Sequence, residues 1–219
     1  MAIAFDATAH GVANPGSSLT YAHTCTGSNL LLFVGIEGDS TNDIITGVTY
    51  NSVAMTRVDA LPATTSGNRW FYLYYLVGPA TGANNVVVSA SSSIFISAVS
   101  ASYTGAQQSG VPDSSNKGGA TTGTSLSIST TTVADNCWVV GYMNGAAAAS
   151  ASGGTTIRGT ETTGQGNICD KNGVVTPAGS ASLGITWTGS NGNGGIVASF
   201  APVVAGAPAG NNMFQGANF

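Results

Sequence analysis

Between residues 68 and 77 the chain reads Asn-Arg-Trp-Phe-Tyr-Leu-Tyr-Tyr-Leu-Val, with five aromatic side chains in ten positions and no helical period among them. Taken with period two, Trp70, Tyr72, Tyr74 and Leu76 point one way, and Phe71, Leu73, Tyr75 and Val77 the other. Both faces are apolar or aromatic. This predicts a strand covered on both sides, by a second sheet on one and by a loop or another protein on the other. Alternation or short apolar runs at 2–6, 18–24, 30–36, 85–90, 94–103, 126–132, 137–143, 181–187 and 196–200 predict further strands. Ile45-Thr-Gly-Val-Thr-Tyr50 and Val53-Ala-Met-Thr-Arg-Val58 flank Asn51-Ser52 as the arms of a hairpin, whose two-residue turn requires positive φ at both positions. Edge strands are expected at 155–163 and 167–169, with Arg158 and Glu161 pointing outward. The polar, Gly/Ser-rich stretch 107–123 reads as a surface excursion. Four alanines at 146–149 lie between Gly and Ser and read as loop, so no helix is expected.

Composition changes the picture mainly through charge. Only 6 % of the 219 residues are charged, against about 25 % in an average globular domain. Gly, Ser, Thr, Ala and Asn stand where Lys and Glu normally sit. Such a surface is neutral and hydrogen-bonding, and it loses little when it packs against a neighbour. The net charge is −4, and the five basic residues (Arg57, Arg69, Lys117, Arg158, Lys171) are scattered, which argues against nucleic acid as a partner. No apolar run is long enough to predict a membrane span. The first residues, Met-Ala-Ile-Ala-Phe-Asp, carry neither a basic region nor a cleavage site, so a classical signal peptide is not expected. A composition like that of a secreted adhesin, without that signal, leads to the expectation of a virion or extracellular location. Of the three cysteines, Cys25 and Cys137 sit in apolar runs and are expected as buried thiols, whereas Cys169 lies in a polar stretch and is expected to be exposed. The odd count leaves open whether any two are bonded.

Leu19-Thr-Tyr-Ala-His23, Gly27-Ser-Asn-Leu-Leu-Leu32, Gly47-Val-Thr-Tyr-Asn-Ser-Val-Ala-Met-Thr56 and Tyr75-Leu-Val-Gly-Pro-Ala-Thr-Gly82 resemble the jelly-roll sandwich domain of bacterial surface proteins and of phage tail and virion proteins. Tyr103-Thr-Gly105 and the closing Trp187 and Gly195-Ile-Val-Ala-Ser199 fit the same pattern. The resemblance implies an all-β, antiparallel jelly-roll-like sandwich of about a dozen strands, spanning residues 1–202. It carries turn and core chemistry and no catalytic signature. Ser52 stands where similar hairpins have Gly. Residues 203–219 change composition, with no charged side chain, and are expected to form an extended C-terminal arm tipped by Met213, Phe214 and Phe219.

Three candidate sites follow, and a hydrolase reading is set aside. Glu37, Asp39, Asn42 and Asp43 form the densest set of oxygen ligands and would suit Ca²⁺, with a solvated loop as the alternative. His23 and Cys25 share a strand face, which allows a Cys–His dyad, half a zinc site that His10 and Cys169 would have to complete from far away in sequence, or buried packing residues, the last favoured. Trp70, Tyr72 and Tyr74 offer a sugar-stacking platform, a subunit interface or, preferred, core. A glycosidase would need two carboxyls flanking a cleft; Glu37 and Glu161 are the only glutamates, and no nucleophile elbow or phosphate loop is present. The expected function is therefore non-enzymatic: a virion structural or interaction protein (decoration, fibre or tail-associated subunit) that contacts other subunits or copies of itself through neutral surfaces and the arm. The alternative is a carbohydrate-binding module or adhesin that recognises glycans.

Overall fold

The computed structural model describes residues 1–63, 68–119 and 123–204. The proposed arm beyond Val204, with Met213, Phe214 and Phe219, lies outside the described residues. In chain order the strands are β1 (Ala4–Cys25), β2 (Leu31–Asp39), β3 (Ile45–Tyr50), β4 (Val53–Ala54), β5 (Thr56–Pro62), β6 (Arg69–Val77) and β7 (Gly82–Thr104). They continue with β8 (Ser114–Gly118), β9 (Gly123–Thr131), β10 (Trp138–Asn144), β11 (Ser150–Ser152), β12 (Thr156–Thr160), β13 (Gly166–Asp170), β14 (Ser180–Asn191) and β15 (Gly194–Phe200). The architecture is an all-β, antiparallel sandwich, as the alternation predicts. The stretch 107–123 is more than an excursion, because it contributes β8 to a sheet edge.

The strands stack in layers because several of them are apolar on both faces. A sheet of order β4-β3-β7-β2-β6-β5, with β1 along β7, faces a five-stranded sheet of order β12-β13-β10-β15-β8. Leu31, Phe33, Phe71, Leu73, Val99, Ala101 and Tyr103 meet Trp138, Val140, Tyr142, Ile168, Ile196, Ala198 and Phe200 between them. The five-stranded sheet buries its other face, through Val139, Met143, Cys169 and Val197, against the small β11-β14-β9 sheet.

β1 and β7 are more than twice the usual strand length, and their register shifts around Ala13–Gly16 and Gly16–Ser18. Beyond that bulge their paired outer halves, together with β3, fold back over β2 and β6. Leu19, Tyr21, Val48, Tyr50, Val86 and Val88 thereby join Leu32, Val34, Ile36, Tyr72 and Tyr74 in a second core. The aromatic strand β6 is thus covered on both faces by its own chain.

The hairpin turn has φ 49° at Asn51 and 65° at Ser52, so both central positions lie in the left-handed region. Its second arm divides at the buried Met55: β4 pairs with β3, whereas β5 leaves to pair with β6.

Two expectations are corrected. Arg158 and Glu161 do not point outward. Of the two strands expected there, β12 lies at the edge and β13 does not, and β12 is covered by the start of β1: Arg158 sits 4.6 Å over the Phe5 ring, Gly159 abuts Thr8, and Glu161 is 3 % exposed. Cys169 is also buried, because β13 is an interior strand of the five-stranded sheet; all three thiols are free.

Candidate functional site: a buried pair of glutamates

The two glutamates of the chain, far apart in sequence, meet between the two large sheets. Odd-numbered residues of β2 face the five-stranded sheet, which puts Glu37 there, beside Ser97 of β7 and Phe71 of β6 in the ladder. Glu161 opens the turn from β12 to β13, held by Glu161 N–H to Gly166 O at 2.8 Å and Gly164 N–H to Glu161 O at 2.9 Å. Tyr142 and Asn144 reach across from β10. The Tyr142 hydroxyl donates to Glu161 Oε1 at 2.7 Å, and Asn144 Nδ2 donates to Glu37 Oε2 at 2.8 Å and to the Tyr142 oxygen at 3.3 Å. Arg69 closes the outer end, with Nε 3.2 Å from Glu37 Oε1 and 3.7 Å from Asp39, and its Nη1 donates to Gln165 Oε1 at 2.5 Å.

Two glycines make the approach feasible. A side chain at Gly35 would overlap the Tyr142 ring, and one at Gly166 would overlap both the Tyr142 hydroxyl and the Glu161 carboxyl.

The electrostatics follow from burial. Glu37 and Glu161 are 2 % and 3 % exposed, so each carboxylate has lost most of its hydration. Burial, reinforced by the charge of Glu37, pushes Glu161 up to about 8. Burial also raises Glu37, opposed by Arg69 and by the Asn144 bond. Arg69 thus favours the anion on Glu37, whereas burial and the charge of Glu37 favour the proton on Glu161. Ser97 Oγ and Asn144 Oδ1 are buried here without a well-formed hydrogen bond, although Ser97 borders the Glu161 carboxyl. A raised acid beside an ionised carboxylate is a general acid–base arrangement in principle. Here the Tyr142 hydroxyl and the Asn144 amide already bond the two carboxyls.

A second polar cluster lies between the central sheet and its folded-back layer. Ser102 Oγ donates to Asp6 Oδ2 at 2.7 Å and stands 3.0 Å from His23 Nε2, while Ser100 Oγ is 2.9 Å from Nδ1. Because the Ser102 proton goes to Asp6, the hydroxyl accepts from Nε2–H; the single Ser100 proton has two acceptors in reach, Nδ1 at 2.9 Å and Ala9 O at 3.2 Å, and a neutral ring takes it at Nδ1. Burial lowers His23 to about 4, against the pull of Asp6. The serine lies between acid and imidazole, the reverse of a nucleophilic triad. Cys25 shares the face of His23 but is packed in the second core, and Cys169 is in the third, so a zinc set does not assemble.

The acidic stretch divides between faces. Glu37 points between the sheets, Asp43 forms a two-pronged pair with Arg57 at 2.6 and 3.2 Å, Asp39 stays near Arg69, and Asn42 bonds its own turn through Ser40 and Thr41. Among the described residues no three His, Cys, Asp or Glu side chains gather in a metal-binding group.

On the aromatic strand Tyr72 and Tyr74 are buried in the second core. Trp70, half-buried, stacks on Tyr72 with centroids 6.2 Å apart and lines a shallow pocket of about 160 Å³ with Ser40, Thr41, Asn68 and Arg69. The glutamate pair was the site that sequence reasoning passed over. Its signal was the scarcity of the residue, two in the whole chain, each in or beside a strand. No protein-family model, curated protein or solved structure matches this chain.

Proposed function

We propose that this protein is a non-catalytic structural and interaction subunit of a virion-like particle, packing against other subunits or copies of itself through neutral surfaces. One observation carries the reading: the chain consumes its own cations. Arg57 pairs with Asp43, Arg69 with Glu37 and Asp39, Lys117 with Asp59, Arg158 with Asp170, and Lys171 Nζ donates to Gly153 O. What faces outward is largely Ser, Thr, Asn, Ala and Gly, a surface with little charge to desolvate or to repel a like neighbour. A freely diffusing protein gains solubility from net charge; a subunit destined for close packing does not need it.

Truncation tests this. Val203 N–H bonds Gly105 O, and the Met1 amino group donates to Val203 O at 3.2 Å, so the cut belongs after Val204. Removing residues 205–219 should abolish assembly seen by light scattering while the β-sheet circular dichroism and melting transition persist. A full-length chain that stays monomeric at high concentration, or assembly unchanged by the deletion, refutes the reading.

A second reading, recognition of neutral glycans, is favoured by the Trp70 pocket, where an aromatic surface adjoins hydroxyl, amide and guanidinium donors.

A further inference from the structure

We propose that Glu37 and Glu161 share one proton and act as a pH-sensitive lock between the central sheet and the five-stranded sheet, closed while the pair carries a single negative charge and loosened when it carries two.

The lock is defined by where each half is anchored. Glu37 belongs to the middle of the central sheet, whereas Glu161 belongs to the turn between β12 and β13 of the facing one. The bridge runs from Glu161 through the Tyr142 hydroxyl and Asn144 Nδ2 to Glu37, at 2.7, 3.3 and 2.8 Å. β2 supplies Glu37 and Asp39; β6 supplies Arg69; β7 supplies Ser97; β10 supplies Tyr142 and Asn144; the turn supplies Thr163 and Gln165; and Tyr21 of β1 is close enough to sense the charge of Glu161. Arg69 is the single cation in that set, and it already serves Glu37 and Asp39. The nearest arginine in sequence to Glu161, Arg158, is committed to Asp170 at 2.6 Å. One buried negative charge is therefore compensated, and a second is not.

The site does not suit a metal cation in place of the proton. The donors Tyr142 OH, Asn144 Nδ2 and Arg69 Nε already point at the carboxylate oxygens, and a guanidinium occupies the outer end.

When Glu161 ionises, the cheapest relief is for its turn to leave. That turn is short and ends at Gly166, and its inner face is held by the Tyr142 bond. The Tyr142 bond favours the ionised carboxyl, but burial and the charge of Glu37 outweigh it, so the anion is relieved by water reaching it as the end of the sheet interface opens. The direction is opposite to most acid-triggered switches: this one loosens as pH rises.

Because the chain has only two glutamates, glutamate labelled with ¹³C at the side-chain carboxyl gives two resonances in the intact protein. The lock requires that the two do not both ionise in the ordinary carboxylate range and that the last step falls near pH 8. Midpoints both below pH ~6 would overturn it. Thermal melts give a second reading. Between pH ~6.5 and ~8 the wild-type Tm should fall by roughly 3–5 °C per pH unit, which corresponds to a tenfold loss in folding constant per unit. Glu161→Gln keeps an acceptor for Tyr142 and should flatten that slope. Glu37→Gln removes the second charge and should bring the Glu161 midpoint down. A Glu161→Gln protein with the wild-type slope overturns the lock, and if that variant does not fold, the two carboxyl titrations of the wild type decide alone.

Discussion

Trp70 is where the two functional readings part. The indole belongs to a face that its own chain has otherwise covered: Tyr72 and Tyr74 are buried beneath the folded-back halves of β1 and β7, and Arg57 lies 5.3 Å over the Tyr72 ring and 5.6 Å over that of Tyr74. One side of Trp70 is spent on stacking against Tyr72, and the rest borders the small polar pocket. Trp70→Ala removes about half of an indole's burial, which costs about 1–2 kcal/mol of stability. If the pocket takes neutral sugars, the same change abolishes glycan-array binding while the fold survives. A wild-type protein that binds no glycan on the array sinks that reading and leaves Trp70 as a packing residue at the end of β6. Sequence periodicity placed Trp70, Tyr72 and Tyr74 on one face correctly. It had no means of showing that strands from both ends of the first hundred residues would fold over that face.

At the level of elements, what the pattern revealed depended on distance along the chain. The Asn51–Ser52 hairpin was readable because a two-residue turn is a local demand, and the structure puts both residues at positive φ. Ser52 meets that demand at a cost, since a Cβ in the left-handed region is strained by roughly 1 kcal/mol. Ser52→Gly should therefore stabilise the protein by about 0.5–1 kcal/mol, raising Tm by ~1–4 °C in differential scanning calorimetry. A lowered Tm would mean that the serine is held by something other than the turn.

β12 shows the opposite case. Its Thr-Ile-Arg-Gly-Thr sequence has the look of an exposed edge, and Arg158 and Glu161 were expected outside. Tertiary cover from Phe5 and Thr8, at the far end of the chain, turns the arginine inward onto Asp170 and leaves the glutamate beside Tyr142. A contact between chain segments that distant has no local period to announce it. The split of the second hairpin arm at Met55 was hidden for the same reason, because β5 is claimed by β6 rather than by β3.

For the whole molecule, the two buried clusters impose opposing demands on pH, and the balance between them is testable. His23 is neutral in the fold at about 4, against an ordinary 6.5, so unfolding takes up a proton between those values. Its contribution is fully present above pH 6.5 and is lost as pH falls through 4. Glu161 behaves in the reverse sense: raised from 4.5 to about 8, it releases a proton on unfolding, and its contribution is present below 4.5 and lost as pH rises through 8. Between pH 4.5 and 6.5 the two slopes have similar size and opposite sign, so stability should be nearly flat there and decline above 6.5. His23→Gln keeps a donor for Ser102 but removes the titrating ring, and so exposes the Glu161 slope through the acidic range. The Tm of that variant should fall steadily from pH 4.5 to 8, where the wild type holds a plateau before declining. Parallel Tm–pH curves for wild type and variant would show that His23 does not set the acid side. The prediction rests on the layered architecture itself: the central sheet is buried on both faces, with the histidine bonded at its back face and the two glutamates meeting at its front face, Glu37 from this sheet and Glu161 from the one facing it. A two-layer sandwich with one solvated face would have left one of these groups in water, and with it an ordinary pKa.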